Sequence, residues 1–334
     1  MPREALTAIA AGLASAAAAM AFLSGAFATI GFVYMAPLPI MMAGLAFGPR
    51  AAALSALAGI LAMAFFGGSV LAGIFAVVHG VPTWAVVKLA LMARTSAPGA
   101  GGTDPGEDRA ATGGPAPGAW MAPGWVVAAL TLFAGAASLV AAAMVSDVGL
   151  SGLIAGHLDQ IFKVMAPGLD ATNRGQVIQT MTPLFPGTVA TSWVIMVTVN
   201  AVIAQGLLVR LGRNRRPSPS YVGLELPMWL SWPLVGAALL ALIGPGEWEY
   251  LGRNLAMVLA LPYFFLGLAV FHTLARRVSS TKALLVVFYL VIVISIWATL
   301  VVAGIGVVEQ WYGLRDRIKS SPARGDQGDD DDEF

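Results

Sequence analysis

Apolar residues in this chain come in long unbroken runs, not in the alternating or one-faced patterns of soluble elements. Nine runs stand out, at about 6–23, 30–47, 51–66, 69–92, 125–145, 187–209, 227–243, 251–274 and 283–308. A helix needs about 20 apolar residues to cross the hydrocarbon of a bilayer, and these runs have that scale and scarcely a charge. The stretch 36–68 is typical. A Pro-Leu-Pro break opens its first helix, a Gly48-Pro49-Arg50 corner joins it to the second, and small residues recur near helical spacing. Gly44, Gly48 and Gly59 are the expected helix-packing positions, because small residues let backbones approach closely in lipid. The last run holds 26 residues, about 39 Å of helix at a rise of 1.5 Å per residue. That suits one tilted span, or a run that dips in and returns. The pattern predicts an all-α, polytopic transmembrane helix bundle of eight or nine spans.

Three segments depart from this pattern. Residues 95–124 contain thirteen Gly or Pro among thirty and no apolar periodicity, the composition of a flexible linker. Residues 149–184 carry Leu150, Leu153, Ile154, Leu158, Ile161, Phe162 and Met165 on one face, with His157, Asp159, Gln160 and Lys163 among the polar positions. Such an amphipathic segment lies at a membrane interface. Residues 315–334 form a charged, acidic, solvated tail. The expected organisation is therefore an N-terminal four-span half (1–94), a disordered cytoplasmic linker (95–124), a C-terminal helical half (125–314) and the tail. The first run has a rival reading as a secretory signal, with Ala26-Phe27-Ala28 as its cleavage site. It is long for that purpose and further spans follow at once, which favours an uncleaved span.

Composition agrees. The chain of 334 residues is 58% hydrophobic and 11% charged, against roughly 25% charged in soluble domains. It has no cysteine, which excludes disulfides, thiolate metal sites and cysteine nucleophiles. The net charge of +1 conceals six acids in the last nine residues. The basic excess elsewhere suits lipid headgroups without any nucleic-acid partner. With the N-terminus cytoplasmic, eleven Lys and Arg of the first eight spans fall inside, and Lys163, Arg174 and Arg253 fall outside. A ninth crossing would place Arg315, Arg317, Lys319 and Arg324 outside, against that rule.

Chemistry-bearing residues are few. No Asp or Glu lies within the nine runs, which weakens the case for an ion-coupled pump. His79 stands beside Gly80 and Pro82, where a broken helix exposes a carbonyl to a ligand; the structural alternative is a histidine bonding a neighbour at a proline kink. Lys88 is close enough to a helix end to snorkel. Asn254 and His272 fall on one line of the eighth helix and, with Asn200 and Gln205, outline a polar seam. Its structural alternative is a set of interhelical hydrogen bonds. The ligand-binding candidates are thus His79, Asn200, Gln205, Asn254 and His272. No catalytic or metal-binding set is visible: the three histidines lack ligand spacing, and HExxH, GxSxG and Walker-type motifs are missing. No cofactor is implied.

The segments NLAMVLALPYFF, YFFLGLAVFHTLARR, NAVIAQGLLVR, RPSPSYVGLELPMW and GIGVVEQWYGLRDR resemble the YybS-like family of predicted bacterial membrane proteins, a domain of unknown function. The likeness spans the chain apart from linker and tail, and it implies a bacterial cytoplasmic (inner) membrane. The first 94 residues, with PLPIMMAGLAFGPRAAALSALAG at their centre, also resemble the S-components of energy-coupling-factor transporters. There a small-residue face of the first span meets a coupling subunit, and Ala10, Ala14 and Ala18 fall at that spacing here. That likeness implies, by analogy of fold alone, a solute-binding or permease-like component that needs partner subunits for energy. The alternative is a non-transporting membrane scaffold or assembly factor. A ligand-lined interior favours the first and a packed interior the second.

Overall fold

The computed structural model describes residues 3–21, 29–93, 120–145, 149–278 and 280–320. Most of the expected linker and the acidic end, residues 94–119 and 321–334, lie outside the described residues. The described chain is all-α: α1 (Arg3–Met20), α2 (Ile30–Tyr34), α3 (Pro37–Phe47), α4 (Pro49–Phe75), a π-helix (Ala76–Gly80), α5 (Val81–Ala90), α6 (Pro123–Ala143), α7 (Gly149–Met165), α8 (Ala171–Met181), α9 (Phe185–Arg210), α10 (Ser231–Ile243), α11 (Glu247–Ala275), α12 (Thr281–Ile294), α13 (Ile296–Tyr312) and α14 (Leu314–Ser320). Two compact units result: Met1–Pro219 with Trp232–Leu259, and Ser220–Ser231 with Ala260–Phe334.

Among the described residues, five helical segments are long and apolar enough to cross a membrane: Ile30–Phe47, Pro49–Ala90, Pro123–Ala143, Ala171–Arg210 and Glu247–Ala275. Counting α12 and α13 as one span makes six. This is a membrane protein, with fewer independent spans by this measure than the eight or nine expected. The reasons are local. The helix α1 opens on Arg3 and Glu4 and is not among the five. The apolar helix Met228–Ile243 is too short. The last run breaks at Ser295, where α12 and α13 meet at 114°. Ser295 is extended there, and its hydroxyl accepts from the Ala298 N–H to start α13.

The segment Pro49–Ala90 is counted once but folds on itself. Gly68 has φ 81°, outside the helical region and favourable only to glycine. A Cβ on Gly59 would touch the Phe75 ring, and one on Gly80 would meet Ala56 and Ile60. Residues 24 apart in one straight helix would be separated by about 36 Å. The chain therefore reverses at Gly68, and the apolar runs expected at 51–66 and 69–92 lie side by side.

In the first unit α1 crosses α4 closely. A Cβ on Gly12 would sit 2.1 Å from the Ser55 carbonyl oxygen. The Ser55 hydroxyl donates to the Ala8 carbonyl at 2.7 Å, and Ser15 donates to Ala36 at 2.6 Å. Gly44 faces Ala52 and Val87 with no room for a Cβ. Gly48 does a different job from the one its spacing implied: at φ 107° it turns the corner between α3 and α4. Past α5 the chain is stitched. Ala93 and Trp120 form an antiparallel bridge, and the Met121 N–H donates to Met92 at 2.9 Å. Arg216, 8% exposed, donates to the Ala90 carbonyl at 2.6 Å with its guanidinium 5.9 Å from the Trp120 ring. The expected linker therefore ends early: Trp120 is already paired and α6 starts at Pro123.

In the second unit α13 lies against the latter part of α11 through glycine. A Cβ on Gly267 would be 1.9 Å from the Val302 oxygen, and one on Gly306 would be 1.8 Å from the Tyr263 oxygen. Gly313, left-handed at φ 59°, ends α13. Arg315 then turns back to Glu309 at 2.6 Å and to the carbonyls of Val222 and Leu224 at 2.6 and 2.8 Å. Arg315 and its helix α14 therefore belong to folded structure, not to the disordered tail expected from residue 315.

Gly12→Ala forces α1 away from the α4 backbone and is expected to cost about 1–3 kcal/mol, as overpacking does. Gly304→Ala, which meets nothing within 4 Å, is expected to be neutral or stabilising by up to about 1 kcal/mol, the helix preference of alanine. Thermal unfolding in detergent distinguishes them, and equal melting temperatures would refute the close crossing.

Candidate functional site

Helices 69–75, the π-helix and α5 place His79 at a break. Pro82 has no N–H to give the Val78 carbonyl four residues earlier. The freed carbonyl was the expected ligand contact, but the indole N–H of Trp193 on α9 already donates to it at 2.9 Å. His79 itself is 6% exposed and its ring lies 5.4 Å from that of Phe75. Its Nδ1 and the Oγ1 of buried Thr83, one turn on, have no partner among the described residues.

The other candidates are mainly staples between backbone segments. Asn200 donates to the Tyr34 carbonyl at 2.7 Å, beside the Pro-Leu-Pro break, and to Met196 at 2.8 Å; its buried Oδ1 has no partner among the described residues. Gln205 donates to the Arg216 carbonyl at 2.9 Å and so fixes the loop that carries Arg216. Asn254 accepts from the Gly187 N–H at 2.7 Å and donates to Pro183 and Tyr250 at 3.0 and 2.8 Å. It closes the first turn of α9 from another helix, where backbone N–H groups have no partner of their own. His272 belongs to the second unit, where Nδ1 lies 2.9 Å from the Leu268 carbonyl and Nε2 lies 3.4 Å from the Tyr289 hydroxyl. The expected seam is thus not one site. Its amide N–H groups bond backbone carbonyls, and no cavity described below is lined by any of the five candidates.

Three cavities lie instead around α7. One, of about 400 Å³, is a groove between the π-helix, α6, α7 and α9 with an almost wholly apolar wall: Val77, Phe133, Leu150, Val189 and Trp193 mark it. A second, of about 610 Å³, shares Leu150 and adds Leu139, Trp248 and Glu247. A third, of about 740 Å³, shares Glu247 and is lined by Ser151, Gln179, Tyr250 and Arg253 from α7, α8 and α11. All three belong to the first unit. These volumes are in the range of small-molecule sites, about 300–1,000 Å³.

Glu247 is the hinge of this region. Its carboxylate accepts from the Ser151 N–H at 3.2 Å and from the Ser151 hydroxyl, so it caps α7 from 96 residues away. Negative charge is favourable at a helix N-terminus. Gly149, at φ 70°, must be glycine, because a Cβ would fall 2.5 Å from the Glu247 carboxyl carbon. The later part of α7 is tied to the start of α8 by Asp159, which meets Lys163 on α7 at 2.5 Å and Arg174 on α8 at 2.7 Å. Those hydrogen bonds hold the Asp159 carboxyl below its ordinary value. Glu247 is not among the sequence candidates; it stands in GPGEWEY, between two apolar runs. An acid at the mouth of an apolar helix was the available signal. Nor is Glu309 among them, one residue beyond the last run yet inside α13 and 6% exposed.

Residues 165–309 match the model of a family described as "Predicted membrane protein (DUF2232)". No curated protein and no solved structure matches the chain. The matched stretch takes in α8 to most of α13, including the Glu247–Arg253 wall, and leaves α6 and nearly all of α7 outside.

Because the Asp159 carboxyl is lowered in the folded protein, its clamp stabilises above the ordinary carboxylate value of 3.8 and is lost as pH falls below it. Hydrogen-exchange protection in the 166–170 turn should fall as pH drops through and below 3.8, and Asp159→Asn should remove that dependence. Separately, Asn254→Leu orphans the buried Gly187 N–H and should destabilise by about 1–3 kcal/mol; an unchanged melting temperature would show the staple to be idle.

Proposed function

We propose that the protein is a solute-binding, permease-like component of a bacterial cytoplasmic-membrane assembly, with no enzymatic activity of its own. The observation that carries this reading is the row of adjoining cavities beside α7, joined by shared Leu150 and Glu247. With the N-terminus cytoplasmic, as the eleven-to-three distribution of Lys and Arg favours, the cavity mouth under α7 and α8 opens on the outer side, where a binding component receives its ligand. Partner subunits would supply energy. Ala10 and Ala14 on α1 are exposed, and Ala18 is half-buried; this small-residue line is not consumed by the chain's own packing and suits a neighbouring membrane subunit.

A second reading, a non-transporting scaffold, is favoured by a different observation: the five sequence candidates line none of the three cavities beside α7 and their polar atoms mostly bond backbone. Purification of the full chain from native membrane, with identification of bound small molecules and associated proteins, separates the two. Gly175 lines the largest of these three cavities and meets nothing within 4 Å, so Gly175→Leu fills the basin without displacing neighbours. The expected result is a co-purified small molecule that stabilises the wild type, with apo melting temperature unchanged and stabilisation lost in Gly175→Leu. Associated proteins with no small molecule would instead establish the scaffold.

A further inference from the structure

The three cavities beside α7 differ in chemistry along their length. The first wall is aliphatic and aromatic, with Ser138 the one polar side chain among its lining, and Ser138 is spent on the Ala134 carbonyl at 3.0 Å. Its floor is the Phe133–Trp193 pair, with ring centres 5.7 Å apart, and the Trp193 N–H is already used by Val78. Nothing polar remains there to hold a water-soluble molecule. Val77 and Val189 beside the groove are 51% and 52% exposed, so this groove lies open to the surroundings of the helices, which for these apolar segments is acyl chain. The far end is the opposite. Ser151, Gln179, Glu247, Tyr250 and Arg253 bring hydroxyl, amide, carboxylate and guanidinium groups to one basin.

Its charged lining consists of one acid and one base. Glu247 has an acceptor capacity of about four sites and gives two contacts to Ser151. Arg253 is paired through Nη2 with Glu249, one turn earlier on the same helix, and the Arg253 side chain is 44% exposed. Among the described residues its remaining donors have no hydrogen-bond partner. A basin of this kind complements a head that carries a cation and an anion together. A singly anionic head would meet Glu247 unfavourably, and a free metabolite would leave the apolar groove unused.

Resting on the ligand-binding reading above, we propose that the site takes a zwitterionic phospholipid with a primary ammonium, of the phosphatidylethanolamine class: one acyl chain in the α6–α9 groove, phosphate on Arg253, ammonium on Glu247. No covalent step is involved. The bilayer is the source of the ligand, and α7, passing between groove and basin at Leu150 and Ser151, separates tail from head.

The test is native mass spectrometry and thermal shift on the full chain in mixed micelles containing phosphatidylethanolamine, phosphatidylglycerol or phosphatidylcholine. Phosphatidylethanolamine should be retained and raise the melting temperature at least fivefold more efficiently, by concentration, than the other two. Arg253→Gln should remove that preference, and Ala137→Phe, which fills the groove, should remove retention. Neither variant touches the Glu247 cap of α7, so both should keep the apo melting temperature. Equal retention of the three lipids, insensitive to Arg253→Gln, would overturn the proposal as ordinary annular lipid. Retention of a water-soluble molecule in place of lipid would overturn it and leave the binding role standing. Absence of any bound molecule would overturn both.

Discussion

Lipid offers no hydrogen bonds, so each interruption of a helix in this chain has to be repaired by another part of the protein. Five repairs share one form, a side-chain donor reaching a backbone carbonyl far away in sequence. Ser15 reaches Ala36, Ser55 reaches Ala8, Asn200 reaches Tyr34, Trp193 reaches Val78 and Arg216 reaches Ala90. Most receive at a break caused by proline or at a helix end, where a carbonyl has lost its own N–H partner. Close glycine crossings bring the helices near enough for such short donors. The rest of the fold depends on this pairing of bare carbonyls with distant side chains.

Seen this way, the difference between sequence and structure has a physical cause. Apolar runs were legible because burial in lipid is written into composition: the run at 30–47 returns as Ile30–Phe47, and 187–209 as the body of α9. The Gly67-Gly68 boundary was legible too, because glycine alone accepts φ near 81°. The break at Ser295 was not, since serine fits a helix or an N-cap equally well and only the surroundings choose. Polar residues misled in a particular direction. Asn200, Gln205 and Asn254 were rightly singled out as uncommon in an apolar bundle, but an amide serves a carbonyl as readily as a ligand, and one sequence cannot show which carbonyls are bare.

The region around α7 was nearly illegible for a related reason. Its key acid, Glu247, lies in a turn between α10 and α11, and its partner Ser151 lies 96 residues earlier. Nothing in either neighbourhood announces the pairing. Periodicity marks an amphipathic face on α7, yet it describes what a helix covers and says nothing of the hollow it leaves beneath. That hollow arises because α7 is held at both ends, by Glu247 at its start and by the Asp159–Arg174 clamp near its finish, while α6, α9 and α11 form walls it does not fill.

The bridge between Ala93 and Trp120 has a consequence for the chain as a polymer. Its two strands are neighbours whatever joins them, so the joining segment does not transmit its length to the helices. Closing a loop costs only about 0.6 kcal/mol more for each doubling of its length, and Arg216 grips both sides of the seam independently of it. The protein is in this sense two polypeptides, held together by the bridge and by the bonds of Asn200 to Tyr34, Trp193 to Val78 and Arg216 to Ala90. A cut or an inserted domain between them would leave all the described interhelical bonds in place.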